Sequence, residues 1–305
     1  MRNVRKTAQI INIPDFCIRD EPMHLHTSFR IGGPADIFCT PARVNEVEKS
    51  INLARKYSFP YLVIGGGANI LVSDRGIRGM VISLEKLNAF NFSDRYFCTA
   101  SAGISVSRLA EEARDRSLEG IEFLYSLPGS LGGAVFMNAR CYGVSVADVL
   151  ESVTYLTTDM KTVTVSPAQC GFAYKDSIFQ HNGGTILEAV LRLQPGEHRL
   201  INSRMEEYKR DRYGKGHFTH PSAGSAFKNN RSFGKPTGVI IDSLGLRGFS
   251  VGGAQISPKH ANIVINTGTA TASDVRTLLE HVKKTVYDAY KISLEEEIRY
   301  IGEWS

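Results

Sequence analysis

Two glycine-bearing stretches are where residue types and spacing first suggest chemistry. Leu62-Val63-Ile64 runs into Gly65-Gly66-Gly67-Ala68-Asn69 and then into a second apolar run, Ile70-Leu71-Val72. Glycines at a strand end let the backbone turn sharply and remove side chains that would block a ligand. Successive free N–H groups in such a turn make a concave anion site, suited to a phosphate or pyrophosphate. A glycine-rich turn without a ligand is the other reading of the same residues. The order is not G-x-G-x-x-G and no clear helix follows, which argues against a Rossmann dinucleotide site. The second stretch, residues 127–139, carries Pro128, Gly129, Ser130, Gly132, Gly133 and Asn138. Turn chemistry and small residues over so long a span mean that backbone approaches something closely. Together the two stretches suggest an elongated ligand with a diphosphate held between two domains. His217 and His220 sit three apart in a loop without a carboxylate partner, so no metal site is expected there.

Length and charge narrow the classes. A chain of 305 residues can bury a large core and divide into two or three domains. Its 42% apolar and 22% charged content is ordinary for a globular protein. A net charge of +5 suits an anionic small molecule and is too weak and scattered to argue for nucleic acid. Cys17, Cys39, Cys98, Cys141 and Cys170 are widely spaced with no C-x-x-C pair. That spacing reads as a reduced, cytoplasmic protein without disulfides or a zinc site. The N-terminus is basic, but Ile10-Ile11 is too short for a signal peptide, and no window approaches a membrane span. No obligate protein partner is evident.

The elements that must position the loops alternate. Strands are expected at 35–39, ahead of the glycine loop, at 80–84 and at 96–102. Val44, Val47, Ile51 and Ala54 recur at helical spacing and stop before Pro60. Ser105 suits the N-cap of a helix with Val106, Leu109, Ala110 and Ala113 on one face and Gly120 as its end. Segments 154–158 and 162–165 flank Asp159-Met160-Lys161 as a hairpin, and 185–193 is a further strand before Pro195-Gly196. Residues 201–213 are polar, with Lys209, Arg210 and Arg212, and read as a solvated helix face. Ser273 is expected to cap a long helix with Val275, Leu278, Leu279, Val282, Val286 and Ala289 toward the core. A strand at 294–301 closes the series, and the frame is α+β.

On that frame six motifs stand in order: GGGANILVSD, LPGSLGGAVFMNA, FAYKDSIF, PSAGSAFKN, GGAQISPKHANIVIN and LEEEIRYIG. With them the chain resembles the UDP-N-acetylenolpyruvoylglucosamine reductase family from about Thr27 to Gly302. The resemblance implies an FAD-binding fold of the vanillyl-alcohol oxidase type and an enzyme of bacterial peptidoglycan synthesis. NADPH would reduce the enolpyruvyl ether of a UDP-sugar through FAD, giving UDP-N-acetylmuramate. The implied division is a first FAD lobe at 1–85 joined by a C-terminal strand at 291–305, a second lobe at 86–198 and a substrate domain at 199–290. The short connection between Ser177 and Ser225 is similar to the form lacking an inserted loop with a substrate-binding tyrosine.

Reducing an enol-ether acid needs a hydride at one alkene carbon and a proton at the carbon beside the carboxylate. Nicotinamide and flavin carry the hydride, so the protein positions groups, stabilises charge and donates the proton. By resemblance, Ser225 is the proton donor, adequate for an intermediate as basic as an enolate. Glu297 is the family's glutamate within Leu-x-x-Glu-Ile-Arg, holding the substrate carboxylate with a shared proton. Strand alternation alone makes Glu297 an exposed carboxylate; the resemblance picks it from Glu295-Glu296-Glu297. Lys175 stands where the family has an arginine, offering a point charge in place of a two-donor fork. Gly65, Gly66, Gly67, Ala68, Asn69, Pro128, Gly129, Ser130, Gly132, Gly133 and Asn138 would hold FAD. Tyr142, Lys228, Asn229, Gln255 and His260 would contact substrate. Arg140-Cys141 replace a small pair before Tyr142, and Gly216-His217 replace Gln-Pro. NADPH and substrate sharing one space implies ping-pong kinetics. An FAD-dependent alcohol oxidase or dehydrogenase of the same fold stays open, although PSAGSAFKN and LEEEIRYIG argue against it. A non-catalytic nucleotide-binding relative also stays open, because of Lys175.

Overall fold

Runs of β-branched and aromatic residues become strands, and segments of helical period cover them. The computed structural model describes residues 2–304 and has an α+β fold organised on three main sheets. In the first, Cys17–Pro22 lies antiparallel to Pro34–Cys39, which runs parallel to Ile77–Ser83 and through it to Tyr61–Ile64. Ile37, Phe38, Met80, Val81 and Ile82 are all buried, as parallel strands covered on both faces are. Helix Val44–Lys56 buries Val47, Ile51 and Ala54.

The second sheet is antiparallel throughout, ordered Thr162–Val165, Leu150–Leu156, Thr185–Arg192, Phe97–Ser101, Phe90–Phe92. Beside it, Ser105 caps helix Val106–Asp115 by accepting the Arg108 amide at 3.4 Å. That helix stops at Asp115, ahead of Gly120. Ser117 takes a left-handed φ of +56°, and Leu118–Glu119 pairs with Gln194–Pro195.

In the third sheet Ser222–Ser225 is the edge, followed by Ile263–Asn266, Ala254–Ile256 and Ser250–Val251. Helix Ala272–Tyr290 backs it, capped by Thr271 rather than Ser273. Thr271 and Asp274 form a reciprocal box, each accepting the other's amide at 3.0 Å. The Ser273 hydroxyl instead donates to Asp74 at 2.9 Å, whose carboxylate also takes the Ala272 and Ser273 amides. Asp74 thereby docks this helix on the chain beside the first sheet. Ala289 is exposed, since the helix ends just beyond it where Lys291 turns left-handed at φ +58°.

Segment 294–301 is less regular than its alternation suggests. Only Arg299–Ile301 is a strand, parallel to Ile70–Val72, while the residues before it run beside Ala226–Lys228. The cysteine reading also needs correction: Cys17 and Cys39 form a disulfide. Antiparallel register sets them opposite one another, with Cα atoms 4.0 Å apart across 22 residues of sequence. Cys98, Cys141 and Cys170 are free. Among the described residues no helix is long and apolar enough to cross a membrane.

Candidate active site

The two glycine stretches meet. A Cβ on Gly66 would lie 3.1 Å from the Gly129 Cα, and one on Gly65 would lie 1.9 Å from the Ser130 Oγ. Gly67 turns left-handed at φ +58°, beneath the His26 carbonyl. Among the described residues the amides of Gly65, Gly66, Gly67, Ala68 and Asn69 donate to no protein acceptor, and neither do those of Gly129 and Ser130. Such facing, unspent donors fit a diphosphate. The remaining glycines do other work. Gly132 gives its amide to Ala102 at 2.8 Å, and Gly133 gives its own to the Ser130 cap at 3.3 Å. Asn138 is nearly buried; its side chain donates to the Ala173 carbonyl at 3.0 Å and accepts the Ala147 amide at 3.2 Å. These three expected cofactor residues are tied to protein groups because helix Leu131–Phe136 must lie flat on Ala102 and end against the next turn.

That next turn aims a charge. Ala173 and Asp176 exchange backbone hydrogen bonds of 3.1 and 3.4 Å, leaving Lys175 in the bend at φ +61°. Its ammonium lies 2.7 Å from Glu297 Oε1, with the two side chains only 18% and 11% exposed. Glu297 is therefore half-buried, against the alternation reading. Its amide donates to the Ala226 carbonyl at 2.8 Å, one residue beyond Ser225, and its carbonyl accepts the Asn69 side chain at 3.0 Å. Glu297 thus links three pieces: the first glycine loop, the edge strand of Ser225 and the turn of Lys175. Asn262 fixes the edge by accepting the Phe227 amide at 3.0 Å and donating to the Phe227 carbonyl at 2.8 Å.

Four of the expected substrate residues belong to the third sheet and its connections, while Tyr142 lies in the turn between Cys141 and Val144. Lys228 pairs with Glu295, and Asn229 accepts the Thr237 amide at 2.9 Å, its side-chain amine meeting no acceptor among the described residues. Gln255 donates to the Gly248 carbonyl at 3.1 Å. His260 accepts the Asn262 amide on Nδ1 at 3.2 Å, which leaves Nε2 as the N–H donor. Burial, with Lys215 nearby, holds the His260 pKa below the ordinary histidine value. Tyr142 stacks on Tyr208 at 3.9 Å and donates to Asp211 at 2.9 Å. Its phenol pKa is pushed up, first by burial and then by that hydrogen bond.

The family model described as UDP-N-acetylenolpyruvoylglucosamine reductase, C-terminal domain, matches residues 216–301, and that of an FAD binding domain matches residues 35–166. The chain is similar to the UDP-N-acetylenolpyruvoylglucosamine reductase of Treponema denticola, 41% identical over 300 residues and covering 93% of each chain. A second relative of that name, from Agathobacter rectalis, is 42% identical over 299 residues, covering 94% of each. The crystal structure of the Thermus caldophilus enzyme superposes with a TM-score of 0.80 at 32% identity, covering 93% of this chain and 98% of that one. The chain belongs to the UDP-N-acetylenolpyruvoylglucosamine reductase family. Both glycine loops fall within the FAD-domain match, and Ser225 and Glu297 fall within the reductase-domain match.

Family motifs did not single out every residue that the geometry does. Arg212 is 4% exposed, donates to the Cys141 Sγ at 3.0 Å and lies 5.6 Å from the Tyr142 ring centroid. Against the expectation of a solvated face, Ile201, Met205, Tyr208 and Arg212 recur at helical spacing and give helix His198–Gly214 its packed side. Arg299 lies 4.9 Å from the Phe136 ring centroid; the residue is exposed overall, and partial desolvation of its guanidinium lowers its pKa. Only its neighbourhood to Glu297 hinted at it.

Proposed function

We propose that this chain is an NADPH-dependent, FAD-mediated reductase that converts UDP-N-acetylenolpyruvoylglucosamine to UDP-N-acetylmuramate in peptidoglycan precursor synthesis, in the cytoplasm. The observation that carries the reading is the Lys175–Glu297 pair at 2.7 Å, built beside Ser225 and bonded to the glycine loop through Asn69. Amides of the two glycine loops would hold the FAD diphosphate, with the Ser130 hydroxyl proton as a further donor. When bound, FAD supplies hydride taken from NADPH. Everything else falls to the chain. Lys175 stabilises charge that gathers on the substrate carboxylate as the alkene is reduced, and Glu297 fixes where that ammonium points. Ser225 gives its hydroxyl proton to the carbon beside the carboxylate. His260 Nε2–H, Lys228 and the side-chain amine of Asn229 bind the polar sugar and phosphate groups, with Tyr142 and Gln255 shaping the wall. The lobes at 1–85 with 291–305, 86–198, and the domain at 199–290 divide these tasks.

Purified protein should be yellow and release FAD on denaturation. In stopped flow, Ser225→Ala should leave flavin reduction by NADPH nearly intact and slow reoxidation by the enolpyruvyl substrate by on the order of 10²–10³. Equal slowing of both half-reactions would make Ser225 a folding residue and sink its role as proton donor. Protein that cannot be reconstituted with FAD would end the whole reading.

A further inference from the structure

The turn that carries Lys175 has no glycine where its backbone is left-handed. At φ +61° a side chain is disfavoured, and glycine or asparagine is the usual occupant of such a turn position. Something must hold the lysine there. Gln180 does so directly: its side-chain amine donates to the Lys175 carbonyl at 2.9 Å and to the Phe136 carbonyl at 3.0 Å. Ser177 donates to the same Phe136 carbonyl at 2.8 Å, and Asn138 donates to the Ala173 carbonyl at 3.0 Å on the other side of the bend. The short segment Phe136-Met137-Asn138 therefore anchors the turn. It also touches the opposing half of the ion pair, because Asn69, which holds the Glu297 carbonyl, reaches the Met137 Sδ at 4.0 Å.

We propose that Gln180 is a positioning residue for the reductase reaction: by clamping the Lys175 carbonyl to that of Phe136, it holds the ammonium where it meets Glu297 and the substrate carboxylate. The proposal rests on the catalytic reading of Lys175. Gln180 touches no reacting atom. Its amine has two hydrogens and two carbonyls to spend them on, so a side chain of equal size without N–H donors would release the turn.

Full-length, FAD-loaded protein tests it in stopped flow with Gln180→Met, Lys175→Met and the double variant. Gln180→Met should slow reoxidation of NADPH-reduced flavin by the enolpyruvyl substrate about tenfold, the worth of two lost hydrogen bonds. Flavin content and reduction by NADPH should not change. In the Lys175→Met background the same substitution should add less than about twofold, since residues acting as one unit are not additive. Amide hydrogen exchange at 173–176 should rise independently of turnover. Slowing of both half-reactions, or a full tenfold effect on top of Lys175→Met, would show a merely structural role and overturn the proposal. Gln180→Glu keeps the shape and faces an oxygen to both carbonyls; it carries the same comparison if Gln180→Met loses flavin. Normal Gln180→Met beside slow Lys175→Met overturns the positioning role alone. Unchanged reoxidation in Lys175→Met overturns the catalytic reading and this proposal with it.

Discussion

Replacing Lys175 with methionine keeps a stem of similar reach and removes the ammonium. A hydrogen bond to a charged group is worth about 1.5–3 kcal/mol. At about 1.36 kcal/mol per factor of ten, reoxidation of reduced flavin by substrate should fall about 10- to 150-fold. The structure favours the upper part of that range. Glu297 is only 11% exposed on its side chain, so water replaces the lost counter-ion poorly. The abandoned carboxylate would then also repel the carboxylate of the incoming substrate. Lys175→Arg restores the charge and adds a rigid two-donor fork, so it should match or exceed the parent. The assay is anaerobic stopped flow, with the NADPH half-reaction as the internal control because it involves no enolpyruvyl carboxylate. Reoxidation within twofold of the parent in Lys175→Met would refute the reasoning and direct the lysine elsewhere. If parent turnover were also negligible, a non-catalytic nucleotide binder would be the better description.

The other expectations can be checked on equally simple material. Gly66→Val would force a branched side chain toward the Gly129 backbone, where even a Cβ comes within 3.1 Å, so FAD occupancy read from the visible spectrum should drop; full occupancy would mean the loops do not need to touch. His217 has its pKa lowered to about 4, chiefly by burial and then by Arg212, from an ordinary value of 6.5. The unfolded chain takes up that proton first, so its contribution to stability is present above pH 6.5 and is lost as pH falls from there toward 4. His217→Gln should flatten the loss of denaturation midpoint across this window; a slope identical to the parent's would place the histidine in water.

Much of the scaffold was legible because local chemistry decides it. Ser105 sits ahead of a helical-period run and does cap it. Thr271-x-x-Asp274 is equally readable in the sequence as a capping box, and it, not Ser273, is the cap. What was hidden depends on partners far away in sequence. Cys17 meets Cys39 only through strand register, and the parity of 294–301 cannot say that Lys175 will stand against Glu297. Glycines misled in one direction. Gly132 and Gly133 look like ligand-cradling residues, yet they serve close packing and a helix cap, while the amides of Gly65 to Gly67 and Gly129 meet no acceptor among the described residues. The left-handed backbone of Lys175 leaves no sequence signal at all, since lysine is not a residue that advertises such a turn.

The parallel pairing of Arg299–Ile301 with Ile70–Val72 has a consequence for how the enzyme comes into being. Chains leave the ribosome N-terminus first, at about 5–20 residues per second, and domains tend to fold as they emerge. Both glycine loops are therefore synthesised long before Glu297, whose carbonyl bonds to a side chain 228 positions earlier. A nascent or C-terminally clipped chain would hold both glycine loops while lacking the partner of Lys175 and the strand beside Ile70–Val72. Completion of the arrangement around Glu297 thus waits for the returning strand, the last of the described strands to be synthesised.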